Sequence, residues 1–310
     1  SELEVDLSSE NVSLVSYMNH YKIPFRIALY PRIKKKIKKL AETVDLLLVR
    51  APTPLLPLIT KDISKKIPFA YLVVGEMSLH VDAIQQKEWR KSLIRQYVNW
   101  NEAKQEEYAK QALIFCNSAI TYDKYKTISD NCYEIRTTTL RTADIYRVDD
   151  RCTGDEINVL FTGRIEKGKG ILEITEAIGA LNQQGKNVKL NIVGWADPKD
   201  NIMNLIAETG AKFGISDKII FHGFKKAGEE LFSFYKSADI FIVASQENEG
   251  FPRTIWEALA HSLPVIAVPV GSIGHFLKHG HDALFIEKKN PQDIEAKIKM
   301  VLNDQELRKN

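Results

Sequence analysis

From residue 157 onward, short apolar runs and helical patterns take strict turns, and this alternation restricts the fold more than any other feature of the chain. The runs are NVLFT (158–162), VKLNIV (188–193), KIIFH (218–222), DIFIVA (239–244), PVIAVP (264–269) and ALFIE (283–287). Each has the length of a buried strand. Between the first two, Ile171, Ile174, Ile178 and Leu181 recur at the spacing of one helix face. Strands that alternate with helices pair in parallel, so the expected class is α/β, a doubly wound Rossmann-like sheet.

The first half alternates too, with strand candidates at 11–17, 44–50, 69–75 and 112–117 separated by long helical stretches. Four strands without a glycine-rich first turn predict a second Rossmann-like domain that is incomplete. Of the 16 glycines only Gly75 precedes Gly154. That shift divides the chain into an N-terminal domain, 1–153, and a C-terminal domain, 154–310. Two domains also suit a length of 310 residues.

Composition excludes several classes. With 44% hydrophobic and 27% charged residues the chain is globular rather than disordered. No apolar run approaches the roughly 20 residues of a membrane span, and SELEVDLSSE lacks the regions of a secretion signal. Cys116, Cys132 and Cys152 have neither CxxC nor metal-ligand spacing, which predicts a reduced, cytoplasmic setting. A net charge of +3 gives no ground for a nucleic-acid partner.

Two segments carry chemistry. TGRIEKGKG (162–170) follows a strand and opens a helix, where glycines admit an anion to the backbone and the helix presents free N–H groups. Arg164 and Lys169 would add charge and a donor fork. A solvated surface turn is the plain alternative. Gly163, Gly168 and Lys169 also fit GxxxxGK, yet the next residue is Gly170, so the hydroxyl of a P-loop is absent, and GxGxxG is not formed. ENEGFPRTIWEALA (247–260) lies between the fourth and fifth strands, where open α/β sheets bind ligands. Glu249 in the loop and Glu257, expected about two turns into the helix, can accept hydrogen bonds from sugar or ribose hydroxyls. Alternatively, Glu249 serves the helix end and Glu257 its wet face.

Together, in this order, these segments make the chain resemble the retaining glycosyltransferases of family 4, glycosyl transferases group 1, with the two-Rossmann GT-B fold facing a cleft. The likeness runs from about 157 to 304 through FTGRIEKGKG, LNIVGWADP, IIFHGFKKAGEELFSFYKSADIFIVAS, EGFPRTIWEALAHSLPVIAVPVGSIGHFL and DALFIE. One residue more than expected separates Ser245 from Glu249. Glu247 is no substitute, because Ile255 stands eight places beyond it. The resemblance implies a nucleotide-diphosphate sugar as donor substrate, no cofactor and no metal. It implies that Arg164 and Lys169 hold the diphosphate, Glu249 the sugar and Glu257 the ribose. Gly163, Gly250, Phe251, Pro252, Arg253 and Thr254 would line the donor pocket, with His222, Gly223, Phe224 and Lys225 beside the base. It also implies front-face retention, in which the departing phosphate helps deprotonate the acceptor. A sugar-nucleotide epimerase or a non-catalytic sugar-nucleotide-binding subunit would share parts of this pattern.

The first half matches less. VDLLLVRAPTP (44–54) and AYLVVGEMSLH (70–80) resemble acceptor-side junctions, which nominates Gly75, Glu76 and His80. The family's N-terminal glycine-rich loop is not found, nor an obvious crossing helix after Leu307, so a partial chain is expected. A glycan or lipid-linked acceptor follows from the family. Residues 30–42 crowd Arg32, Lys34, Lys35, Lys36, Lys38 and Lys39 beside a stripe of Ile33, Ile37 and Leu40. This is either a surface helix with its stripe in the core or a contact to an anionic membrane surface.

Overall fold

The computed structural model describes residues 23–53, 67–78, 81, 87–135, 140–246 and 250–309. The strand candidate at 11–17, His80 and Glu249 lie outside the described residues. The chain forms two compact units, Ser1–Phe115 with Tyr125–Cys132 and Cys116–Lys124 with Tyr133–Asn310. Residues 133–153 therefore group with the glycine-rich half. The reason is packing. Arg151 is buried and donates to the carbonyls of Lys236, Ala238 and His261 at 2.8, 2.9 and 2.6 Å, while Tyr146 N–H donates to Ala260 O at 2.8 Å.

The first sheet is built from β1 (Leu47–Ala51), β2 (Phe69–Val73), β3 (Leu113–Cys116) and β4 (Cys132–Glu134), in the order β1-β2-β3-β4. β1 and β2 run parallel, from Leu47 opposite Phe69 to Ala51 opposite Val73. Three strands answer the runs at 44–50, 69–75 and 112–117. β4 is three residues long and too short to show alternation. Helix α1 (Ile23–Ala41) precedes β1, α2 (Glu88–Ala109) precedes β3, and α3 (Ala119–Tyr125) follows it. In α1, Ile33 and Ile37 are buried with Leu29, Leu47 and Ile67 around them, while Lys35, Lys36, Lys38 and Lys39 are exposed. The apolar stripe of 30–42 thus belongs to the core, and only its basic side faces outward.

The second sheet comprises β5 (Ile157–Arg164), β6 (Val188–Trp195), β7 (Ile219–Gly223), β8 (Ile240–Val243), β9 (Val265–Ala267) and β10 (Leu284–Phe285). Its order is β10-β9-β8-β5-β6-β7, with every pair parallel. The connecting helices are α4 (Ile171–Gln183), α5 (Ile202–Phe213), α6 (Glu229–Ser237), α7 (Arg253–Ala260) and α8 (Ile273–Phe276), and α9 (Pro291–Asn303) and α10 (Gln305–Lys309) close the unit. Every residue of β8 is buried, as a strand covered on both faces must be. Ile171, Ile174, Ile178 and Leu181 of α4 are fully buried in the same core, as their spacing requires. The order in which strands are added to the sheet reverses between β5 and β8. The loops leaving the C-terminal ends of those two strands diverge there, which opens a crevice for a ligand.

Candidate functional site

The two chemically marked segments are the loops at this reversal. After β5 the chain makes a tight turn over Lys167–Lys169 and enters α4 through Gly170, whose φ is +70°. That left-handed conformation suits glycine. A Cβ on Gly170 would lie 2.1 Å from the Ala244 carbonyl oxygen, at the end of β8. One step further on, Gln246 N–H donates to Gly168 O at 2.8 Å. The glycine turn and the approach to the acidic segment are thereby fastened to each other.

Arg164 ends β5 with an exposed side chain, its Nη2 3.3 Å from Glu166 Oε1. Such an exposed pair is worth little, so an anion can replace the carboxylate at small cost. Lys169 is half-buried in the turn, and Gly163 is half-buried at the strand end. Gly250, Phe251 and Pro252 lead into α7, with Phe251 stacked on Trp256 at 4.4 Å between ring centroids. Arg253, the first residue of α7, is exposed, and Thr254 is half-buried.

Glu257 corrects one expectation and removes one alternative. α7 starts at Arg253, so Glu257 stands a little over one turn into it rather than two. Nor is it on a wet face, for it is only 6% exposed. A buried carboxylate needs partners. Tyr235 of α6 donates its phenol to Glu257 Oε2 at 2.7 Å, and the same oxygen of Tyr235 lies 2.7 Å from Thr162 Oγ1 of β5. Burial, and then the charge of Glu257, hold the Tyr235 phenol well above its ordinary pKa and keep it a donor. Tyr235 and Thr162 were not legible as site residues, because in LFSFYKSADIF a tyrosine among apolar neighbours reads as core.

At the same end of the sheet, His222, next to last in β7, has Nε2 2.9 Å from Asn191 Oδ1 and its ring 4.6 Å from that of Phe234. Burial, and then the charge of Lys225, lower its pKa. Gly223 and Phe224 are exposed beside it, and Lys225 Nζ lies 3.5 Å from Glu230 Oε1. Gly75 and Glu76 belong to the other unit, half-buried in the coil after β2. Among the described residues no His, Cys, Asp or Glu side chains group as metal ligands would.

The Tyr235 bond is testable without any substrate. Tyr235→Phe should destabilise the protein by about 1.5–3 kcal/mol, the usual range for a hydrogen bond to a charged group. Urea denaturation measures this. A change below about 0.5 kcal/mol, the ordinary scatter of surface substitutions, would mean that Glu257 does not depend on this phenol.

A doubly wound parallel sheet with its loops joined at the reversal, in a chain with a second α/β unit, defines the GT-B class of fold. Anabaena HepE, solved in complex with UDP and glucose, superposes with a TM-score of 0.69 over 94% of this chain and 78% of that one, at 16% identity. The chain belongs to the glycosyl transferases group 1 family, whose sequence profile matches residues 144–310, more than half of it. An uncharacterised glycosyltransferase of Methanocaldococcus jannaschii is 33% identical over 150 residues, 48% of this chain and 37% of that protein. The capsular polysaccharide biosynthesis glycosyltransferase CapM of Staphylococcus aureus is 29% identical over 154 residues, 50% of this chain and 39% of its own. The chain therefore spans less than half the length of these curated relatives.

Proposed function

We propose that this protein is a retaining glycosyltransferase that passes a sugar from a nucleotide diphosphate to a glycan or lipid-linked acceptor, in surface polysaccharide or glycolipid synthesis. The observation that carries the reading is the 2.8 Å bond from Gln246 N–H to Gly168 O, which joins the basic glycine turn to the residue that leads into the acidic segment at the sheet reversal. One loop supplies cations for a diphosphate and the other carboxylates for hydroxyls. The UDP and glucose of HepE and the capsule role in the name of CapM support the choice of donor and product class.

In this scheme the bond between the sugar C1 and the diphosphate oxygen breaks, and its electron pair stays with the diphosphate. Arg164, Lys169 and the opening N–H groups of α4 stabilise that charge without reorganising. The acceptor oxygen bonds to C1 on the same face, and its proton passes to the departing phosphate. Glu249 orients the sugar, and Glu257, held by Tyr235, accepts from the ribose. Gly163 and the segment from Gly250 to Thr254 line the pocket, while His222 to Lys225 flank the base. Gly75 and Glu76 serve the acceptor. Contact of residues 30–42 with an anionic membrane rests on the exposed lysines alone.

Titration calorimetry with nucleoside diphosphates separates the two carboxylates. Glu257→Gln should weaken binding by about tenfold, the loss of roughly one charge-assisted hydrogen bond, whereas Glu249→Gln should leave that affinity intact and impair use of the sugar. EDTA should leave transfer unchanged. Unaltered affinity in Glu257→Gln, or a strict requirement for Mg²⁺, would sink this assignment.

A further inference from the structure

His261 directly follows α7, four places after Glu257, and is fully buried, yet the transfer scheme gives it no task. Glu257 lies in the last turn of that short helix, where backbone carbonyls lack helical partners. The N–H of His261 donates to Ala258 O at 3.0 Å, one residue short of the Glu257 carbonyl that a full helical turn would reach. The ring takes that carbonyl instead, with Nδ1 2.7 Å from Glu257 O. A carbonyl only accepts, so Nδ1 carries the proton and donates.

The face of the same ring lies on Tyr235, with centroids 5.5 Å apart and planes 23° apart, and Phe232 packs on it at 5.1 Å. Three contacts therefore close on one another. Tyr235 holds the Glu257 carboxylate at 2.7 Å, His261 holds the Glu257 carbonyl, and His261 lies against the ring of Tyr235. Arg151 fixes the third member in turn, donating from Nη2 to the His261 carbonyl at 2.6 Å.

The other ring nitrogen shows that packing is not what a histidine serves here. Nε2 is buried and has no partner among the described residues. A buried polar atom left unpaired lowers stability, and a phenylalanine would fill the space beside Phe232 and Tyr235 without that loss. What phenylalanine lacks is the Nδ1–H on Glu257 O. A turn of backbone that shifts carries its side chain along, and hydrogen bonds weaken steeply as their angles open.

We infer that His261 is a positioning residue for the ribose carboxylate: it fixes the backbone of Glu257 through Nδ1 and the ring of Tyr235 by stacking, so that the carboxylate meets the ribose hydroxyls already oriented. His261 itself touches no substrate. Its effect is on the discrimination of a ribonucleotide from one without those hydroxyls. The inference rests on the assignment of Glu257 to the ribose proposed above.

The test is titration calorimetry of the 310-residue chain with UDP, ADP and GDP and with their 2′,3′-dideoxy forms. For the base it accepts, the parent should bind the ribose form about tenfold more tightly than the dideoxy form, roughly one charge-assisted hydrogen bond. His261→Phe keeps a stacked ring and loses the donor, and should bring this ratio down to about twofold while affinity for the dideoxy form is unchanged. His261→Asn keeps a donor at the place of Nδ1 and gives up the ring, and should retain more of the ratio than His261→Phe. Since the ratio compares two ligands on the same protein, a smaller folded fraction in either variant leaves it unaltered. A packing role alone gives the reverse order, with phenylalanine harmless and asparagine damaging, and that order would overturn the inference. So would a ratio that falls in Glu257→Gln but stays at the parent value in His261→Phe, an outcome that leaves the ribose assignment standing. A parent ratio near one, or a Glu257→Gln ratio equal to the parent's, would instead remove the ribose assignment and this inference with it.

Discussion

Arg164→Ala and Lys169→Ala are each expected to lower the turnover of sugar transfer by about 10²–10³-fold at saturating donor, the usual loss when one preorganised donor to a developing oxyanion is removed. Neither should disturb folding. Arg164 is exposed and paired with Glu166 at 3.3 Å, so alanine there leaves no buried charge unmatched. The assay follows labelled sugar from donor to acceptor, and thermal unfolding of both variants should stay close to that of the parent. Near-normal transfer by both would remove the diphosphate role from this turn. Isomerised donor without transfer would point to an epimerase, and binding without reaction to a non-catalytic subunit.

Gly170→Ala should damage both stability and turnover, because this glycine joins the two loops. Two costs add at one position. An alanine held at φ +70° is strained by about 1–2 kcal/mol. Its Cβ would also meet the backbone just after β8, 2.1 Å from Ala244 O and 2.9 Å from Ala244 C. Backbone cannot rotate aside as a flexible side chain can, and overpacking of this kind adds about 1–3 kcal/mol. Urea denaturation should therefore give a loss of roughly 4 kcal/mol. Gly214 is the control, with the same φ of +70° and nothing within 4 Å of the place a Cβ would take. Gly214→Ala should cost only about 1–2 kcal/mol of backbone strain. Equal losses in the two variants would show that the contact between the turn and β8 adds nothing.

Much of the second unit is legible along the chain because its signals are local. Ile171, Ile174, Ile178 and Leu181 declare a helix face by spacing alone, and all four prove fully buried. The six strands declare themselves by short apolar runs between helices, and that alternation already requires parallel pairing. The glycine turn and the acidic segment are visible as well, although β6, β7 and the helices around them lie between the two in the chain. Sequence names both loops but does not measure the gap between them. That gap closes only when the sheet order brings β8 beside β5.

Burial was decided by tertiary structure, because periodicity shows that a stripe exists and not what covers it. α1 and α2 illustrate the difference. The stripe of Ile33 and Ile37 is covered by the core, whereas the aromatic row from Trp89 to Trp100 is left outward while Asn101 and Gln105 go in. Glu257 follows the same rule. On its own helix it could have faced water, and it is buried because Tyr235, 22 residues earlier, reaches it with a phenol at 2.7 Å. The sequence by itself determined the order of strands and helices in the second unit and the loops there that carry charge, since both depend on neighbours along the chain. Which faces are buried, which loops meet and which side chain holds Glu257 depend on contacts between distant segments, and only the folded sheet creates those.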